Sequence, residues 1–141
     1  MLVEFLSKLN WLHILVAAAG YWVVGILWYS VIFSKVWQTE MTNYGVKLNP
    51  PSGGKMAQNV VLTYVMHVFA TIAVAFLIHF IGSETVMEGI KVGLYCSFGY
   101  VVTAGSMGYI WEGRSLKLIM IDNSFHIVGL IVAAIILSVW H

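Results

Sequence analysis

Charge is what this sequence has least of. Only 9% of its 141 residues are Asp, Glu, Lys or Arg, against about 25% in soluble domains, which excludes an ordinary soluble domain. Seven cations against six anions leave a net charge of +1. So even a balance also excludes nucleic-acid binding, which needs a concentrated basic face to displace condensed counterions. Cysteine is reduced to Cys96, so no intrachain disulfide forms and the thiol reads as a small buried hydrophobe. Proline occurs twice, at Pro50 and Pro51, leaving the rest of the chain without its strongest helix breaker. A basic n-region and a cleavage site are missing from the N-terminal segment, which carries Glu4 and Lys8, so the long apolar run after Asn10 is expected to be a first helix and not a signal peptide. Also missing are a phosphate-cradling glycine loop and a nucleophile with an evident base.

What is present is hydrophobic: 60% of residues, with a mean hydropathy of +0.89. Four windows carry no charge, at 9–34, 56–83, 92–111 and 123–141. Roughly 20 apolar residues of helix span a bilayer core, so each window is long enough for one crossing. Backbone groups in lipid must be satisfied within the segment, and no window alternates as a barrel strand does. The expected fold is therefore an all-α membrane protein, a single domain over 1–141 with four transmembrane helices at about 10–33, 57–81, 87–111 and 115–139. The loop at 34–56, with its Asn-Pro-Pro-Ser-Gly-Gly run, is the one sizeable connection. The other links are short and predict antiparallel neighbours, with Gly113 ending the third helix and Ser115 capping the fourth. Five of the seven Lys and Arg fall in the first and third loops, which places both termini outside the cytoplasm.

Small residues predict where helices meet closely in lipid. In the third helix Gly89, Gly93, Ser97, Tyr100, Ala104 and Gly108 make one stripe at helical period. In the second, Asn59, Thr63, His67, Ala70 and Thr71 share a face, and in the fourth Asp122, His126, Gly129 and Ala133 do. Polar and small residues thus lie together, which predicts a polar bundle interior. Counting at about 1.5 Å per residue puts His67, Tyr100 and His126 at a common depth, with Asp122 one turn nearer the third loop. These four are the candidate proton- or solute-binding residues. Asp122 and His126, four apart, are placed for a direct hydrogen bond, and a histidine beside a carboxylate suits proton passage. Plain interhelical hydrogen bonding, worth on the order of 1 kcal/mol, is the competing reading. No cofactor is expected. Two His and one Asp on two helices lack a tight metal motif, and His67 and His79, twelve apart, turn about 120° from each other, which does not suit stacked haems. His13, His79 and His141 read as interfacial groups, and most of Trp28, Tyr29, Trp37, Tyr109 and Trp111 as an aromatic belt.

Several segments carry a resemblance: Asn10-Trp11-Leu12, Gly25-Ile26-Leu27-Trp28-Tyr29-Ser30, Phe33-Ser34-Lys35-Val36-Trp37, Glu112-Gly113-Arg114-Ser115-Leu116-Lys117-Leu118 and Ile121-Asp122-Asn123-Ser124-Phe125-His126. Over nearly its whole length the chain resembles the bacterial integral-membrane family known as domain of unknown function 1761. The resemblance implies four transmembrane helices in the bacterial inner membrane and no established activity. It directs attention to Trp28, Tyr29, Trp37, Glu112, Arg114 and His126. The chain departs from the family pattern at Val31, where Pro is usual, and at Asp122, where an apolar residue is expected, which separates Asp122 from a family-wide role. The first functional expectation is a small homo-oligomeric transporter or channel using the His/Asp cluster. The alternative is a non-catalytic membrane module binding a partner protein or lipid, and an enzyme acting on lipid or quinone ranks last.

Overall fold

A computed structural model describes residues 2–49 and 51–140, so Met1, Pro50 and the terminal His141 lie outside it. The described residues are mostly helical, with no strand among them. The elements are α1 (Leu2–Lys8), α2 (Trp11–Leu27), a π-helical turn (Trp28–Ile32), α3 (Ser34–Asn43), α4 (Gly54–Ile81), α5 (Val86–Cys96), a second π turn (Ser97–Val101), α6 (Val102–Trp111) and α7 (Leu116–Val139). Among the described residues three runs are long and apolar enough to cross a membrane: Trp11–Ile32, Gly53–Ile81 and Leu116–Val139. The expected crossing at 87–111 is instead two α-helices of 11 and 10 residues joined by a five-residue π turn.

Local chemistry explains the boundaries. Asn10 caps α2 by accepting from the Leu12 N–H, and Ser115 caps α7 by accepting from that of Leu118. Thr85 and Glu88 form a reciprocal capping box at the start of α5, satisfying amides that the helix itself leaves open. Gly82 and Gly113 end α4 and α6 at φ of 70° and 71°, a left-handed conformation that suits glycine. The loop expected at 34–56 begins with a ten-residue helix, α3. Glycine and proline are absent there until Gly45, and Thr39 and Thr42 bond back to the carbonyls of Lys35 and Gln38.

The hub of the fold is α7, which packs against α2, α4 and α5 and buries Leu118, Ile121, Phe125, Leu130, Ala133 and Ala134. Glycine makes these approaches possible. A Cβ added to Gly93 would stand 2.6 Å from Ile131 Cα, and one added to Gly89 would stand 2.9 Å from Ile135 Cα. On the other side of α7, the Tyr21 ring fills the place that a Gly129 Cβ would take. The predicted stripe therefore works as a contact only over Gly89, Gly93 and Ser97. The second π turn adds a residue to the helical count and rotates the α6 side chains by about 100°. Tyr100 is consequently 71% exposed, and a Cβ added to Gly108 would meet no atom within 4 Å. Although α4 and α5 are joined by a short turn, a groove of about 570 Å³ separates much of α4 from the second π turn.

Gly93→Ala is expected to destabilise the protein by about 1–3 kcal/mol because the Ile131 backbone has to move. Gly108→Ala, facing open space, should stay within about 0.5 kcal/mol of the parent. Thermal unfolding of the two variants in one detergent checks this pair.

Candidate functional site

Two polar clusters lie along α7. The inner one is organised by Tyr21 of α2, which is 3% exposed. Its hydroxyl pairs with His126 Nδ1 at 2.6 Å, and the His67 ring meets the Tyr21 ring edge-on at 4.4 Å between centroids. His67 donates from Nδ1 to the Thr63 carbonyl at 2.6 Å, a bond that fixes the ring's orientation and leaves Nε2 as the acceptor of the neutral tautomer. Phe125 closes the cluster, tilted against His126 at 4.6 Å and edge-on to His67 at 6.1 Å. Chemically, a phenol paired with an imidazole can hold or pass one proton.

The outer cluster surrounds Asp122 at the end of the bundle that bears α3 and the Glu112–Ser115 turn. The first π turn matters here. It carries an extra residue in its width, and its first two residues, Trp28 and Tyr29, both reach α7 through their long side chains. Trp28 Nε1 donates to the Ile121 carbonyl at 3.1 Å, and the Tyr29 hydroxyl donates to Asp122 Oδ1 at 2.8 Å. Trp37 of α3 packs edge-on to Tyr29 at 5.4 Å and approaches the same carboxylate.

Arg114 joins the cluster from the turn. Its Nε bonds Glu112 Oε2 at 2.6 Å, Nη1 lies 3.6 Å from Asp122 Oδ2, and the guanidinium sits 4.3 Å from the Tyr109 ring centroid. Partial burial opposes its charge, yet the hydrogen bond and negative charge of Glu112 outweigh this and hold its pKa above the usual value. A planar fork between two carboxylates and an aromatic face is an arrangement that lysine does not reproduce. Glu40 of α3 accepts from Ser115 Oγ and lies 3.8 Å from Lys117 Nζ. Its negative charge thus stands at the N-terminus of α7, where the helix dipole favours it.

Of the residues singled out in the sequence, His67 and His126 meet at Tyr21. Trp28, Tyr29, Trp37, Glu112 and Arg114 gather at the Asp122 end. Tyr100 does not join either cluster, for the π turn carries it outward into the α4 groove. The expected Asp122–His126 hydrogen bond is not among those formed by the described residues, because Tyr29 and Arg114 take the carboxylate and Tyr21 takes the imidazole. The sequence pattern does not single out Tyr21, Glu40, Tyr109 or Phe125 for the site. Depth is the signal that finds Tyr21, since a polar tip amid an apolar run needs a partner. Among the described residues no group of three or more His, Cys, Asp or Glu is arranged to hold a metal ion.

Residues 12–138 match the family described as "Protein of unknown function (DUF1761)". No curated protein and no solved structure matches the chain.

Tyr29→Phe, which leaves Asp122 short of a donor, is expected to destabilise by about 1–3 kcal/mol. In the double variant Tyr29→Phe/Asp122→Asn the two losses should fall short of additive by about 0.5 kcal/mol or more. Unfolding midpoints of the four proteins complete the cycle.

Proposed function

This chain belongs to the family of proteins of unknown function DUF1761, and from that premise we propose that it is a four-crossing integral membrane protein serving as a non-catalytic module that binds lipid or a membrane-protein partner. The fourth crossing in this reading is the helical run from Val86 to Trp111. At about 1.5 Å per residue its 26 residues reach beyond the roughly 30 Å hydrocarbon core. The π turn does not break the run, since α5, the turn and α6 follow one another without an intervening loop residue. Both termini lie outside the cytoplasm in this proposal, with the Glu112–Ser115 turn and α3 on the cytoplasmic side of a bacterial inner membrane.

One observation carries the reading as a module. Among the described residues no buried side-chain nitrogen or oxygen lacks a hydrogen-bond partner. Tyr21 and His126 satisfy each other, Asp122 takes Tyr29 and Arg114, and Ser83 takes Ser138. A pathway for solute needs groups free to exchange partners, whereas groups locked on one another hold helices together. The second reading is a proton-linked transporter, assembled as a homo-oligomer because four helices enclose little volume. It is favoured by the contact of His67 and His126 with one tyrosine.

Reconstitution in proteoliposomes with an internal pH dye separates the two. For a module, His126→Ala and Asp122→Asn melt at lower temperature and leave the proton leak of the parent unchanged. Parental proton flux that disappears in both variants while their folding persists would show the transporter reading to be right.

A further inference from the structure

At the end of the bundle opposite Asp122, a cavity of about 370 Å³ opens between α1, the start of α2, the end of α4 and the Gly82–Glu84 turn. Lys8, Asn10, His13, His79 and Glu84 line its mouth, and Ile14, Ala75, Ile78 and Leu137 its floor. The lining groups differ in how far they are already engaged. Lys8 bonds Glu4 at 2.7 Å, and His13 pairs with Asn10 at 3.0 Å and stacks on Trp140 at 4.3 Å. The Glu84 carboxylate has no hydrogen bond or ion pair among the described residues, its backbone N–H alone bonding Glu88. An ammonium, with three donors and a charge of one, still leaves Lys8 two donors beyond its bond to Glu4.

Phe5 is the second part of the observation. It is 7% exposed, packs edge-on to Phe76 at 5.1 Å, and lines both this cavity and the 570 Å³ groove between α4 and the second π turn. The groove is apolar, walled by Phe69, Ala73, Phe76, Leu77, Cys96 and Val101, and from Leu77 to Phe69 it follows α4 for about 12 Å. A mouth with charges of both signs thus lies beside an apolar groove, with the Phe5 side chain lining both hollows. In a membrane this combination selects an amphipathic molecule with its head at the interface and a chain along the groove.

The geometry points to a phospholipid with a zwitterionic, primary-ammonium headgroup as the occupant: phosphatidylethanolamine, its ammonium at Glu84, its phosphate at Lys8 and His79, and one acyl chain past Phe5 into the groove. The assignment rests on the module reading above and gives that module its ligand. A quaternary ammonium offers Glu84 no N–H, and a headgroup with phosphate alone leaves Glu84 unpaired, so both should bind less well.

Native mass spectrometry of the full chain, with dioleoyl phosphatidylethanolamine, phosphatidylcholine and phosphatidylglycerol added singly, tests this. Phosphatidylethanolamine should be retained about tenfold more than either other lipid. Glu84→Gln, on an exposed turn, should erase that preference. Ala73→Phe, which fills the groove, should lower retention of all three. Equal retention of phosphatidylethanolamine and phosphatidylcholine, a preference unaltered in Glu84→Gln, or a chain found as a lipid-free dimer each overturns the assignment. Circular dichroism melts of both variants confirm that the bundle is intact. Flux lost in the His126 and Asp122 variants counts against the module reading, whereas lipid selectivity lost here leaves that reading standing.

Discussion

The close approach of α7 to its neighbours is the constraint on which the other features depend. In lipid, helices gain little from hiding apolar surface, so association depends on contact distance and on polar pairing. Gly129 admits the Tyr21 ring onto the α7 backbone, and Gly89 and Gly93 bring α5 against the opposite side. With Tyr21 held there, its hydroxyl reaches His126 and its ring meets His67. A side chain as small as a methyl at Gly129 would remove the seat on which this cluster rests.

The two clusters differ in chemical character as well as in position. The inner one holds no carboxylate, ammonium or guanidinium, only imidazoles, a phenol and aromatic edges, which interior burial tolerates at modest cost. The outer one gathers Asp122, Arg114, Glu112, Glu40 and Lys117 where the helices meet the turn, with α3 folded over them. Charges need water or one another, and the end of a helix bundle supplies both. Placing neutral groups at depth and ionic groups at the rim lets one helix, α7, carry both.

Much of the helical plan was legible in the residues. Charge-free windows marked the apolar runs, and Gly113 and Ser115 marked two of their ends through capping chemistry that acts over a few residues. The face shared by His126 and Gly129 was legible too, because it depends on simple helical period. The π turns were not legible. Each inserts one residue with no proline to announce it, Tyr29 lies within the first and Tyr100 within the second, and simple helical period misplaces the side chains that follow. The partner of Asp122 was hidden for another reason: Arg114 reaches it from a turn and Tyr29 from a different helix, and spacing along one helix cannot rank such competitors. The α3 helix was obscured by the breakers beyond it, since the Asn-Pro-Pro-Ser-Gly-Gly run drew the whole segment into a loop.

The central position of α7 has a consequence for biogenesis. It leaves the ribosome after α2, α4 and α5, yet it is the helix on which those three converge. Until it arrives, α2 and α4 can already pack on each other, whereas α5 lacks the helix that is its main partner. The packing of α5 therefore waits on the last helix to be made. Quality control that inspects unassembled helices would see this chain as unfinished until α7 is in place.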